Sequence, residues 1–132
     1  MTTAIPSVSQ VITQPSIHTY ADLSGDYNPL HVDEEFAAKT PFGGTIAHGP
    51  IALQTLFASL TQWFGGEDIP AGVALKVTYR APVRPGDEIT FVPLATTAGD
   101  DGLVTLESEC RNQRGETVIA ASATIPADVL PR

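Results

Sequence analysis

Cysteine is almost missing from the chain. Cys110 is the only one in 132 residues, so no internal disulfide can form, and a reducing cytoplasm is the simplest expectation. Long hydrophobic runs are missing too. No stretch approaches the ~18 apolar residues of a spanning helix, so no membrane partner is expected. The opening "MTTAIPSVSQ" has neither a basic residue nor an apolar run, and no secretory leader is expected there. Basic residues are scarce: seven Lys and Arg against fifteen acids, a formal net charge of −8. Nucleic acid is held by cations that neutralise phosphates, so that class of partner is excluded. Any polyanionic ligand needs a local basic patch working against the overall field. Internal repeats and low-complexity linkers are missing as well, and the length fits one domain over 1–132. With 42% apolar residues the chain can bury a modest core.

What is present falls into an order. "SVSQVIT" (7–13) alternates loosely and predicts a short strand. "QPSIHTYADLSG" (14–25) predicts a short helix, with Pro15 in its first turn and Gly25 at its exit. "DEEFAAKT" (33–40) predicts another, capped by Asp33, with Glu34 and Glu35 at its positive end and Lys39 at its negative end. "GPIALQTLFASLTQWFGG" (49–66) is the clearest helix. It carries no charge from Pro50 to Phe64, and its apolar residues spread round most of the cylinder, so it is expected to be buried.

Then the period changes to two. "GVALKVTYRAPV" (72–83) puts Val73, Leu75, Val77 and Tyr79 on one face, and strands at 87–98, 103–112 and 116–126 follow. Asp101-Gly102 and Arg114-Gly115 are turn signals between the last three, so an antiparallel meander is expected. Pro93 marks a bulge or an edge. The fold class is α+β: an antiparallel sheet around one long buried helix. An exposed sheet edge favours pairing with a second copy, so a homodimer is expected.

Between the first and the long helix lies a dense polar segment, "SGDYNPLHVDEEFAAKTPFGGTIAHGP" (24–50). Gly25 tolerates backbone angles that other residues avoid, and Asn28 precedes a proline, so the chain kinks from Asp26 to Pro29 before a helix starts near Asp33. A kink can bring Asp26 and His31 together. A carboxylate and an imidazole facing one gap can hold a water and move protons both ways, with Asn28 orienting the water or the aspartate. Gly43-Gly44 permits close backbone approach, and Gly49 sits at the positive end of the long helix, where free N–H groups can hold a developing negative oxygen. Pro50 has no N–H, so the donor is Gly49 or a neighbour. His48 reads as a histidine that fixes the loop by side-chain hydrogen bonds.

"YADLSGDYNPLHVDEEFAAKTPFGGTIAHG" (20–49) resembles the signature of the MaoC-like, or (R)-specific, enoyl-CoA hydratases, and "YRAPVRPGDEI" (79–89) resembles their strand-turn segment. The resemblance covers roughly 20–125 and rests mainly on S-G-D-x-N-P-x-H. It implies a hot-dog fold, a curved antiparallel sheet wrapped around a central helix. It further implies that Asp26 and His31 are the catalytic pair, sharing the water that adds across a trans-2-enoyl thioester. The product is a (3R)-hydroxyacyl thioester, and the reverse is a dehydration within fatty acid metabolism. Gly49 matches the oxyanion position, with Asn28, Gly44 and His48 on the substrate-binding side. The family often has a bulky apolar residue where Pro50 stands, a departure that bears on pocket shape. No cofactor is implied, since coenzyme A or an acyl carrier belongs to the substrate.

Several bland readings stand beside these. His18 is expected on an exposed helix face, and His18, His31 and His48 match no metal-ligand spacing, so no metal is expected. Cys110 is expected in the sheet core. Trp63 and Phe64 are expected in the core or the pocket wall. Arg80 and Arg84 are either ordinary surface arginines or contacts for coenzyme A phosphates. Three alternatives remain open. The hot-dog fold also hosts thioesterases, but these commonly carry an acid on or near the central helix, where this chain has only Gln54. A carrier-protein-linked dehydratase of polyketide-type metabolism would use the same dyad. An inactive subunit would typically lack Asp26 or His31, which leaves a heteromer in which this chain is the active half.

Overall fold

A computed structural model of the chain describes residues 4–66 and 68–131. Strand β1 (Ser9–Val11) is followed by α1 (Gln14–Ser24), α2 (Pro29–Val32), α3 (Glu34–Ala38) and α4 (Gly49–Trp63), then by β2 (Ala74–Tyr79), β3 (Glu88–Ala98), β4 (Leu103–Arg111) and β5 (Thr117–Pro126). A single 3-10 turn, Ala127–Val129, follows β5. No helix among the described residues is long and apolar enough to cross a membrane.

Local chemistry explains the helix limits. Thr13 caps α1 by accepting from Ser16 N–H, while the Ser16 hydroxyl answers to the Thr13 amide, a reciprocal box. Gly25 ends α1 at φ +77°, in the left-handed region, and returns its N–H to the Ala21 carbonyl. The one-turn helix α2 was not anticipated. Asn28 does leave helical geometry, as a residue before proline should, but Pro29 then serves as the first helical residue and the Asn28 side chain caps it through Leu30 N–H. Asp33 closes α2 and caps α3.

The sheet runs β1-β3-β4-β5-β2, antiparallel throughout. The expected meander covers β3, β4 and β5, joined at turns where Gly102 and Gly115 have positive φ. Strand β2 does not join β3; it pairs beyond β5, at the far edge. Residues 80–87 make the crossing. Arg80 and Ala81 N–H bond Val118 O, Ala47 N–H bonds Val83 O, and Gly86 N–H bonds Ile12 O. Pro93 marks a bulge, with a register slip between Pro93 and Ala95.

Helix α4 packs on β1, β3 and β4. Ile51, Ala52, Thr55, Leu56, Ser59, Leu60 and Trp63 are buried against a core that includes Ile89, Phe91, Leu106, Cys110 and Ile119. Cys110 therefore sits in the core, accepting weakly from the Thr55 hydroxyl. Burial is not uniform round the helix, as its apolar circumference suggested. Leu53, Phe57 and Phe64 are only partly buried and Gln54 is exposed. The sheet is open, so it covers one side of the cylinder and leaves the other flank half covered.

Candidate active site

The segment between α1 and α4 folds back on itself because its backbone is tied by side chains. Ser24 Oγ accepts from Asp26 N–H, and Asp26 Oδ1 accepts from Asn28 N–H at 3.2 Å. This is an Asx turn that brings the chain sharply into α2. It leaves Asp26 Oδ2 free to face His31, 3.8 Å from Nε2. His31 is on α2, and α2 is clipped to the strand-like run before α4 in two directions. Ile46 N–H donates to Leu30 O, and His31 Nδ1 donates to Ile46 O at 2.8 Å.

That last bond fixes a tautomer. A carbonyl can only accept, so Nδ1 carries the proton and Nε2 of the neutral ring presents a lone pair. Oδ2 and Nε2 are then two acceptors across one 3.8 Å gap. A water there can donate one hydrogen to each and turn its own lone pairs outward. The pair is asymmetric in exposure: the Asp26 side chain is 53% exposed and His31 only 13%, so water reaches the gap from the aspartate side.

His48 lies behind the pair. Its Nε2 donates to the backbone carbonyl of Asp26 at 2.9 Å. Its ring stacks on His31 with centroids 3.8 Å apart and planes 26° apart, and it meets Tyr20 at 4.8 Å. The loop-fixing role expected of it is the geometry observed. Asp26, His31 and His48 offer ligand atoms within 4.8 Å of one another, a cluster the sequence spacing did not suggest.

His31 opens onto a cavity of about 460 Å³ whose walls include Phe42, Gly49, Pro50, Tyr79 and Val118. Gly49 is the first residue of α4, and its N–H finds no acceptor among the described residues. With Pro50 lacking an N–H and Ile51 N–H turned to His48 O at 3.1 Å, the Gly49 amide is a donor left without an acceptor at this helix start among the described residues. Asp26 itself is not part of the cavity wall. It stands beyond His31, at the outer end of the gap.

Two other candidates lie elsewhere. Asn28 is exposed and uses its side-chain oxygen to cap α2. Gly44 packs beside Glu34, where a Cβ would come within 3.2 Å of Oε1. The same carboxylate accepts from Thr45 N–H and Oγ1, so Gly44 lets the loop pass close to the exposed Glu34 side chain that anchors the buried Thr45. Arg80 borders the cavity, whereas the Arg84 guanidinium lies by Gly44. His18 is exposed on α1, as expected.

Sequence reasoning missed three participants. Gln14, the first residue of α1, donates to His31 O at 2.9 Å and accepts from the Thr45 hydroxyl at 2.7 Å, binding both sides of the loop. The Ile46 carbonyl sets the tautomer of His31. The Tyr79 ring stands against Gly49, so close that a Cβ on Gly49 would meet it at 2.6 Å. A side chain at position 49 would therefore have to displace the half-exposed ring of a residue on strand β2. None of these leaves a local signal in the chain, because each partner is distant in sequence.

Known proteins resemble this chain in sequence and fold. The (R)-specific enoyl-CoA hydratase of Rhodospirillum rubrum is 35% identical over 121 residues, covering 90% of this chain and 82% of that protein. The 3-hydroxyacyl-thioester dehydratase Z of Mycobacterium tuberculosis is 37% identical over 81 residues, 59% of this chain and 54% of that one. The solved (R)-hydratase from A. caviae involved in PHA biosynthesis superposes with a TM-score of 0.77 at 28% identity, covering 94% of each chain. The fold is the hot-dog fold, with its sheet left open in this chain. A family model described as a MaoC like domain matches residues 2–105; the chain belongs to the MaoC-like family.

Proposed function

We propose that this chain is a hydro-lyase that adds water to trans-2-enoyl thioesters, giving (3R)-hydroxyacyl thioesters, or runs the reverse dehydration. The observation that carries the reading is the 3.8 Å gap between Asp26 Oδ2 and His31 Nε2, with His31 in the wall of a cavity that Gly49 also lines. The names of the relatives support it: an (R)-specific enoyl-CoA hydratase and a 3-hydroxyacyl-thioester dehydratase.

In this mechanism the Asp26 carboxylate takes a proton from the shared water as its oxygen bonds to C3. His31 Nε2 holds the same water in line, and the pair returns one proton to C2. The two groups work as one coupled unit, and the proton count belongs to the pair. As C3 is attacked, electrons move through C2 onto the thioester oxygen. The Gly49 N–H, at the positive end of a 15-residue helix, stabilises that charge. Asn28 and Gly44 serve by shaping the loop. Every atom in the reaction comes from water and thioester, so no cofactor is required. The thioester carrier is coenzyme A or an acyl carrier protein, and Arg80 at the cavity wall is the cation placed to meet its phosphates. The active unit is a homodimer, or a heteromer with a related subunit, acting in the cytoplasm; a second copy would cover the open flank of α4 and the Tyr79 edge of β2.

The test is the loss of enoyl-thioester absorbance with crotonyl-CoA and longer enoyl-CoAs, followed by chiral analysis. Hydration to the (3R) product is expected. Free thiol released from acyl-CoA, with no hydration, would instead make the protein a thioesterase. That outcome is disfavoured because Gln54, the nearest thing to an acid on α4, is exposed and outside the cavity wall.

A further inference from the structure

His48 touches both Asp26 and His31 and is not part of the cavity wall. Its Nε2–H holds the Asp26 carbonyl, its ring lies on His31, and the next residue supplies the Gly49 amide. Because the Asp26 carbonyl can only accept, Nε2 carries the proton and Nδ1 carries the lone pair. That Nδ1 is fully buried and has no hydrogen-bond partner among the described residues. A buried acceptor without a donor is a cost the fold retains. A residue needed only to tie down the loop would meet the same requirement with a single side-chain amide, which has no aromatic ring. The ring here is enclosed, with the residue 3% exposed, between contacts to Tyr20 and His31.

We propose that His48 is a positioning residue for the hydration: it sets the Asp26–His31 gap by holding the carboxylate loop with its Nε2–H and the His31 ring plane with its π face. The inference rests on the reading of Asp26 and His31 as the reacting pair. His48 acts through those two residues and carries no proton in the reaction. Both of its contacts are needed, since one sets the position of the carboxylate and the other the direction of the Nε2 lone pair.

Two variants separate the contacts. His48→Gln keeps a donor for the Asp26 carbonyl and removes the ring; His48→Phe keeps the ring and removes the donor. Each is expected to lower kcat for crotonyl-CoA about 10- to 100-fold, the range for a reacting group displaced by about an ångström, with KM changed less than about threefold. A merely structural role would lower the folded fraction and leave kcat per folded molecule unchanged. Wild-type kcat in both variants, or a loss confined to KM, overturns the proposal. Should the variants fail to fold, histidine-selective nitrogen NMR on the intact wild-type protein, without substrate, tests the contact on which the proposal depends: an Nε2–H tautomer of His48 and an Nδ1–H tautomer of His31 are expected, and an Nδ1–H tautomer of His48 overturns it. Absence of hydratase activity in the wild type would instead defeat the functional reading, and the NMR result would stand apart from that.

Discussion

Strands β3 to β5 and the segment from residue 24 to 50 are held together in different ways. Along the strands, backbone pairs with backbone in register, from Thr90↔Arg111 to Leu103↔Pro126, and the inward side chains Phe91, Leu106, Cys110 and Ile119 are sealed from water. In the 24–50 segment, side chains tie the backbone: Ser24, Asp26, Asn28, Asp33, Glu34, His31 and His48 each bond a main-chain group. Much of the segment is exposed. The ladder needs little from any one polar residue. The loop needs nearly all of its polar residues, and they are also the ones with chemistry. Stability and activity should therefore respond to different substitutions.

The largest separation is expected at the dyad. Asp26→Asn and His31→Ala should each lower kcat about a thousandfold, within the range for losing a positioned acid or base. The melting temperature of Asp26→Asn should stay close to that of the wild type, because the Asp26 side chain is half exposed. Turnover and thermal melts on the same samples check this; a melting shift that tracks the activity loss would erase the contrast.

The converse belongs to the core. Phe91 is fully buried, and Phe91→Ala should destabilise by about 3–5 kcal/mol while molecules that remain folded keep their kcat. Denaturant titration, paired with activity per folded molecule, measures both quantities.

A third substitution joins the two regions. Gly49 belongs to the site, but Tyr79 on β2 determines its size, since a Cβ would lie 2.6 Å from the ring. Gly49→Ala should cost about 10- to 100-fold in kcat/KM by displacing the ring or the helix start. Removing the ring as well, by Tyr79→Ala, should recover part of it. No recovery would mean that the clash is not the cause.

The smallest effect is one of pH. Burial alone would push the Asp87 carboxyl up, but hydrogen bonds from Arg84 N–H and Gln113 and the charge of Arg114 outweigh it and hold it below the usual carboxylate range. Its contribution is thus fully present above the unfolded value of about 3.9 and is lost as pH falls through the lower folded value. Asp87→Asn should flatten the acid limb of the stability curve and leave activity at neutral pH unchanged. Acid titration followed by circular dichroism tests this.

The same contrast governs what could be read from the chain. Helix α1, the long helix α4 and the three-strand meander were legible because their signals are local: Pro15 and Gly25, an uncharged run ended by Gly65-Gly66, and Gly102 and Gly115 at the turns. The Asp26–His31 pairing was legible because its parts are five positions apart across an Asn-Pro kink. Strand β2 at the far edge was not legible, because its period says which face it shows and nothing about its neighbour. Helix α2 was hidden by reading Asn28-Pro29 only as a break, although proline also starts helices. The stack of His48 on His31, the Ile46 carbonyl under Nδ1 and the Tyr79 ring over Gly49 arise only after distant segments meet.

The most direct test of the shared water is a double-mutant cycle in kcat between Asp26→Asn and His31→Ala. If both residues act on one water, the double variant should be about as slow as the slower single variant, because removing either already disables the unit. Losses that multiply would mean that the two residues act independently, and would contradict the account.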